Sequence, residues 1–439
     1  MANVGEAFGF GSRAGAFAGA STAWGFDAFS AYSNPGALAM TGEKRLLFSW
    51  AVMDMEARMK PISGVIIEND YTSGQYRRGD VDTSYRSTFG QSIGVVYKIA
   101  PDWFGITFGL VGFMPVNHIA YVDTGEPFIP EYLFYRSRTQ RPQIEMGLGA
   151  EPFRGLYAGA GIHIAYSLTT SATIMLQSSP SKTSSMRFAA TLKPKVAPQF
   201  GLLYAPGEGL SKPFTIGAVF RFPVASANNL TMKSGARVLG DLTTLDFNCT
   251  AMSAIFYDPM TVEIGATVEY LRGLRAIIQA DYQFWNKFEP PALEIREPAI
   301  EQTGIRISGS KNPPFEMRNI LIPRIAHEWE INDFIVWRAG YAYRPGVFKS
   351  VPTNAGNYLD PSKHMLSAGV GLRFRSFLGF QTPASLDLHG AYHHMVSQKI
   401  AKSGGDERGL GSGELKIGAP GYETGGKQFG GGASLTLAF

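Results

Sequence analysis

Cysteine is almost absent. Cys249 is the only one in 439 residues, so neither a disulfide framework nor a thiolate zinc site is available. Charge is scarce: 17% of the residues are Asp, Glu, Lys or Arg, against about 25% in ordinary globular chains. The net charge of +4 is spread along the chain without an arginine-rich tract, which excludes the electrostatic footprint of a nucleic-acid binder. Long apolar runs are missing too. Residues 155–181 carry no charge apart from His163, but Gly, Ser and Thr fill the stretch and it alternates, so its period is wrong for a membrane helix. The first residues lack a basic segment followed by an apolar one. The rest of the chain points to export, so the numbering is expected to start after signal cleavage, with Met1 added.

What is present is a period of two. Phe214, Ile216, Ala218, Phe220, Phe222 and Val224 alternate with Thr215, Gly217, Val219, Arg221 and Pro223. This is a strand with one apolar face. The same parity holds from Phe188 to Tyr204, where Lys193, Lys195 and Gln199 share the polar face. It recurs over 262–270, 274–284, 366–374 and 386–393. The strands run about 10–14 residues, longer than the usual five or six and matched to a tilted membrane crossing.

Connections alternate between short and long. Short ones fall at 101–102, 153–154, 206–212, 272–273, 332–333 and 376–383. Long ones fall at 60–88, 116–141, 167–185, 225–258, 289–316, 347–363 and 399–427. Tight turns at one end and long loops at the other mark outer-membrane barrels. The expected fold is an all-β transmembrane antiparallel β-barrel of about 14 strands. Its even strand count leaves both termini on the turn side, the periplasm. Segment 242–259 can be read as an extra strand and is placed here inside a long extracellular loop. Trp103, Trp285, Trp329 and Trp337 are expected at the interface girdles. The last strand carries Phe429, Gly431, Ala433, Leu435, Leu437 and Phe439 on one face, and the terminal Phe439 looks like an outer-membrane insertion signal.

Residues 1–42 do not alternate. They are rich in Ala, Gly and Ser, with Phe8, Phe10, Phe17, Trp24 and Phe26 among them. A wide lumen needs filling or conducts water. The expected organisation is therefore a hatch inside the lumen over 1–42 and a barrel over 43–439.

Here the residues resemble a known family. Gly11-Ser12-Arg13-Ala14, Gly19-Ala20, Asp27, Ala31 and Asn34-Pro35-Gly36-Ala37-Leu38 are similar to the N-terminal hatch of the FadL family of outer-membrane transporters. The family carries Asn-Pro-Ala followed by Gly-Leu, so Gly36 and Ala37 are exchanged here. Gly105 to Pro115 resembles the family's third strand, and Thr261 to Trp285 its paired strands. The resemblance implies passive transport of long-chain fatty acids or similar hydrophobic molecules. The route it implies runs from an extracellular loop groove to a hatch-gated inner site and out through a lateral wall opening.

On that reading the hatch residues are Arg13, Asp27, Asn34, Pro35 and Gly36. Gly105, Gly109 and Gly112 are candidates for the lateral opening, because strand glycines mark kinks or close approaches. A fatty-acid carboxylate needs cationic donors, and inward parity selects Lys193, Lys195, Arg221, Arg324, Arg338 and Arg373, with the first three preferred. Glu145, Glu263, Glu269, Asp281, Glu328 and Asp387 share that face, and most of these charges are expected to pair within the lumen and hold the hatch. His163, His389 and His393 point inward, but no hydrolase or metal motif accompanies them. No enzyme, cofactor or metal is expected. The expected partners are outer-membrane lipid and lipopolysaccharide, a hydrophobic ligand or fatty acid, and, on the scaffold alternative, another envelope protein. Two other functions stay open: a barrel that acts as a scaffold for envelope or secreted proteins, and a diffusion channel. The proline-rich loop 289–316 would serve as a docking surface or a rigid lid.

Overall fold

The computed structural model describes residues 4–25, 27–41, 44–60, 62–69, 76–81, 87–100, 102–117, 131–132, 135, 141–177, 185–207, 213–238, 243–288, 294–299, 301–302, 305–306, 316–351, 358–376, 382–402 and 421–439. Fourteen strands form its wall: β1 (Leu46–Met59), β2 (Thr88–Ala100), β3 (Ile106–Pro115), β4 (Gln143–Phe153), β5 (Leu156–Gln177), β6 (Ser185–Tyr204), β7 (Phe214–Arg221), β8 (Met260–Leu271), β9 (Leu274–Phe284), β10 (Ile320–Glu330), β11 (Ile335–Arg344), β12 (Lys363–Phe374), β13 (Ala384–Ala401) and β14 (Gly421–Ala438). Each pairs antiparallel with the next. β14 returns to β1, where Leu47 lies opposite Ala438. The Phe439 amide donates to the Leu46 carbonyl at 2.8 Å. The wall is closed, which removes the unpaired edges a sheet cannot leave in lipid.

Parity decides which side each residue faces. Ile278 of β9 and Ile325 of β10 lie opposite each other and are 60% and 56% exposed. Phe200, Leu202, Ile264, Leu366 and Leu388 are likewise exposed on the outer face. A belt of bare isoleucine, leucine and phenylalanine around a closed barrel is a lipid-facing surface, and the chain is an outer-membrane barrel. Trp103, Trp329 and Trp337 are exposed as expected of girdle residues, but Trp285 is fully buried. Its indole packs among long-loop aromatics instead, because β9 ends at Phe284 and residue 285 has already turned inward.

The short connections are tight. Arg154-Gly155 and Arg272-Gly273 each join two strands, with Gly155 at φ +78° and Gly273 at φ +76°, a conformation that side-chain-bearing residues rarely adopt. Two long connections differ from expectation. β5 runs to Gln177 and β6 starts at Ser185, so most of 167–185 is strand rather than loop. The loop between β7 and β8 contains an antiparallel hairpin, Val224–Val238 with Thr243–Asp258, whose first strand runs parallel to the end of β5. Within segment 242–259, Thr243–Asp258 is thus a strand, but one within the loop and outside the fourteen-stranded wall.

Inside the wall lies the N-terminal segment: α1 (Val4–Phe8), α2 (Gly11–Ala16), α3 (Ser30–Ser33) and a 3-10 helix, Pro35–Met40. Helices this short have no independent stability, and the wall holds them. The Ser367 hydroxyl donates to the Ala16 carbonyl at 2.8 Å. The Thr22 amide donates to Gln279 at 3.0 Å, and the Gln199 amide donates to the Ala31 carbonyl at 2.7 Å. Wall glycines let the backbones approach. A methyl group on Gly340 would fall inside the Phe17 main chain. Gly340→Ala should therefore leave the barrel folded, seen as unchanged heat-modifiable mobility, while limited proteolysis cuts the N-terminal segment faster than in the parent.

Candidate functional site

The centre of the lumen is an ion-pair network around Glu328 of β10, whose side chain is fully buried. It accepts the Trp24 indole N–H at 2.9 Å, the Arg338 Nε at 2.8 Å, Arg275 Nη1 at 3.4 Å and Arg13 Nη2 at 3.5 Å. Two of those donors, Trp24 and Arg13, belong to the N-terminal segment. Arg338 continues to Asp387 of β13 at 2.5 Å. Arg275 lies 4.6 Å above the Trp24 ring. One carboxylate therefore joins three wall strands to two points of the segment. A second pair, Arg324 with Asp281 at 2.6 Å, also donates to the Ala18 carbonyl.

Toward the long-loop end the lumen is polar and narrow. A cavity of about 60 Å³ remains there, with Glu145, His163, Arg221, Asp258 and Glu263 among its lining, room for a few waters. Arg221 pairs with Glu263, donates to the Tyr32 carbonyl at 2.5 Å and the Ser33 carbonyl at 3.2 Å, and sits 4.8 Å over the Tyr32 ring. His163 bonds Glu145, and its Nε2 lies 3.4 Å from Asp258. Arg141 binds the same Asp258, which ties two long loops to the wall.

Beyond this polar layer the chemistry reverses. Phe8 of α1, Met55, Met59, Tyr132, Trp285, Ile320, Val347, Tyr358, Met365, Met395 and Tyr422 form one buried apolar cluster. Phe8 stacks on His393 at 4.8 Å. Tyr257, Trp285 and Phe288 meet edge to face at 5.7–6.0 Å. Within the cluster Lys363 is fully buried; its ammonium sits 5.4 Å over the Tyr135 ring and makes no hydrogen bond among the described residues. Arg344 nearby holds Asp360 at 2.7 Å and reaches Glu6 at 3.5 Å.

The structure places the sequence-selected residues as follows. Asn34 caps the 3-10 helix: its Oδ1 accepts the Gly36 amide at 3.0 Å, and its Nδ2 donates to the Thr22 and Leu202 carbonyls at 2.9 and 3.1 Å. Pro35 lies against Gly159. A methyl group on Gly36 would stand 2.9 Å from the Gly201 carbonyl, so the glycine there allows close contact with the wall. Asp27 accepts the Phe29 amide at 2.8 Å. Burial pushes its carboxyl up to about 6, with Arg13 pulling the other way.

The three lateral-opening candidates are not equivalent. Gly105 is in the turn before β3 at φ +60°, Gly109 faces inward onto Leu38, and Gly112 faces outward with nothing near it. The ladder of β3 with β4 is unbroken from Thr107 to Phe113. Lys193 and Lys195 are exposed on β6 beyond the buried Gln199, whereas Arg221, opposite Gln199, is engaged by the segment. The structure does not bring the three cations together. Of loop 289–316, residues 289–293, 300, 303–304 and 307–315 lie outside the described residues, as do residues 403–420. Lys363 and Arg344 went unselected by sequence; both begin or end a strand, where parity is least informative.

The fold and its lumen define a class: a closed fourteen-stranded outer-membrane barrel enclosing its own N-terminal segment. No protein-family model matches the chain. It is 22% identical over 308 residues to alkane uptake protein A of Marinobacter nauticus, an alignment spanning 66% of each protein and so just under two thirds of that relative. A Pseudomonas aeruginosa FadL homologue superposes with a TM-score of 0.61 at 14% identity over 98% of both chains. The Pseudomonas putida toluene transporter TodX gives 0.58 at 13% over 99% of both. The chain shares the fold of these barrels over nearly its whole length, a likeness first visible in Asn34 to Leu38.

Two outcomes follow from this geometry. Glu328→Ala leaves Arg338, Arg275 and Arg13 without their shared buried carboxylate, a loss of about 3–5 kcal/mol for a broken buried pair, and thermal unfolding should show a lower Tm. Because Asp27 takes its proton more readily in the packed segment than free in water, packing gains as pH falls from about 6 toward 4. Amide exchange at residues 28–34, corrected for the intrinsic rate, should be slower at pH 5 than at pH 7, and Asp27→Asn should abolish the difference.

Proposed function

We propose that the protein takes up hydrophobic molecules across the outer membrane, by passive partition into its long-loop end. The observation that carries this reading is the buried cluster around Phe8, Trp285, Tyr358 and Met395. A water-filled channel has no use for such a surface at its mouth. An alkyl chain entering it gains about 0.8 kcal/mol for each CH₂ removed from water. Alkane uptake protein A and the toluene transporter TodX, by their names, handle cargo of this character. A diffusion channel is disfavoured, since the N-terminal segment and its ion pairs fill the described lumen.

On this reading residues 1–42 act as the hatch. Cargo displaces Phe8 from His393, and α1 moves with it. Residues 105–112 remain the proposed lateral exit, with Gly112 offering a bare outer face to a departing chain. Long-chain fatty acids fit as cargo because Lys363 offers a carboxylate a cation within the apolar cluster. Lys193, Lys195 and Arg221 are less suited: the two lysines are exposed on β6, away from the apolar cluster, and Arg221 binds the hatch. Both termini face the periplasm, on the side of the tight turns.

Labelled hexadecane and labelled palmitate would be offered to cells lacking their own outer-membrane transporter, with and without this barrel. Saturable uptake of at least one is expected. A folded barrel that adds no uptake of either would overturn the reading. Lys363→Met should lower palmitate uptake about tenfold, equivalent to one charge-assisted contact, and leave hexadecane uptake unchanged.

A further inference from the structure

The apolar cluster at the long-loop end is not equally stiff on all sides. Ile320, Ile322 and Val347 supply β-branched side chains to it, and Tyr132, Trp285 and Tyr358 supply rings. β-Branched side chains keep to few χ1 wells and rings are planar, so these groups present fixed shapes. The wall strands β1, β12 and β13 bring methionine as their buried members: Met55 and Met59, Met365 and Met395. A thioether side chain has three rotatable bonds and moulds to what it meets. We propose that Met55 and Met59 set the width of cargo the barrel accepts, giving way to ring-bearing hydrocarbons as well as to straight alkyl chains. The proposal rests on the uptake reading above and names specificity-determining residues within it.

What separates Met55 and Met59 from the other two is the residue across the ladder. Met365 lies opposite His393 and Met395 opposite Lys363, both of them buried side chains. Met55 lies opposite Gly430 and Met59 opposite Gly426. Neither glycine position has room for a side chain. A methyl group on Gly430 would stand 2.9 Å from the Phe8 ring, and one on Gly426 would stand 2.7 Å from the Arg58 carbonyl oxygen and the Met59 Cα. Side chains opposite each other across a ladder restrict one another. Two flexible side chains of β1 escape that restraint, because they face bare backbone on β14.

The position of Phe8 ties this freedom to cargo. Phe8 covers the floor at Gly430, and it is the residue that cargo displaces on the uptake reading. Once Phe8 leaves, Met55 swings over the glycine and the pocket widens on the β1 side. The β-branched and ring side chains keep their shape. A straight alkyl chain needs no such widening, whereas a saturated or aromatic ring is wider than the chain that carries it.

The test measures uptake of labelled hexadecane, decylcyclohexane and decylbenzene, which carry the same number of carbon atoms, by cells with and without the full barrel. The parent is expected to take up all three. Met55→Ile combined with Met59→Ile conserves volume but stiffens both side chains at χ1. It should lower uptake of both ring-bearing probes about tenfold, leave hexadecane uptake unchanged and keep its heat-modifiable mobility. If the double variant loses that mobility, the two single variants replace it on the same terms. Unchanged uptake of all three probes overturns the proposal, as does an equal loss of all three. A loss confined to decylbenzene also overturns it, since attraction between sulfur and the aromatic ring would then decide, not width. A parent that takes up hexadecane but neither ring-bearing probe overturns it and leaves the uptake reading standing. A parent that takes up none of the three overturns both.

Discussion

The lumen depends on one buried carboxylate. Glu328 draws Arg275, Arg338, Arg13 and the Trp24 indole to a single point. Replacing such a cluster with apolar residues is often harmless to stability, while removing one member is costly. The network is thus a device for position rather than for strength. It fixes where an otherwise unstable string of short helices sits, because the segment's Arg13 and Trp24 both bond the same wall carboxylate.

The same wall shows why the outside of the barrel was legible in the sequence and much of the inside was not. Parity along a strand needs only local information, so the lipid face from Phe200 to Tyr204 and the inward face at Arg324, Arg338 and Glu328 could be read directly. Alternating loop lengths gave the strand number. What parity lacks is reach across the lumen. It put Lys193, Lys195 and Arg221 on one face but carried nothing about Tyr32 and Ser33, whose carbonyls engage Arg221. Residues at strand ends escaped for a related reason. Trp285 lies one position past β9 and Lys363 is the first residue of β12, where the alternation has barely started or has just stopped.

Glycine was the other partly legible signal. The exchange of Gly36 and Ala37 relative to the family invites a reading in terms of turn mobility. The structure gives a steric reason instead: Gly36, Gly201 and Gly159 let the 3-10 helix lie flat on β5 and β6, with the Asn34 amide reaching the Leu202 carbonyl. Wall glycines at 159, 201, 217 and 340 are therefore the counterpart of the small residues in the N-terminal segment. Each surface is smooth because the other is, a relation between distant stretches of sequence.

The apolar cluster and the ion network meet in α1. Phe8 belongs to the cluster and stacks on His393. Two residues earlier, the Glu6 carbonyl accepts from Arg324 at 3.5 Å and its carboxylate lies 3.5 Å from Arg344. Arg324 in turn holds Asp281 and the Ala18 carbonyl. On the uptake route proposed above, a molecule that takes the place of Phe8 also shifts the five-residue α1. The shift is then felt at Glu6, and through Arg324 at Ala18, close to the Phe17 main chain that lies against Gly340. Packing at the mouth and electrostatics in the centre are in this way mechanically one system, with α1 as the lever between them.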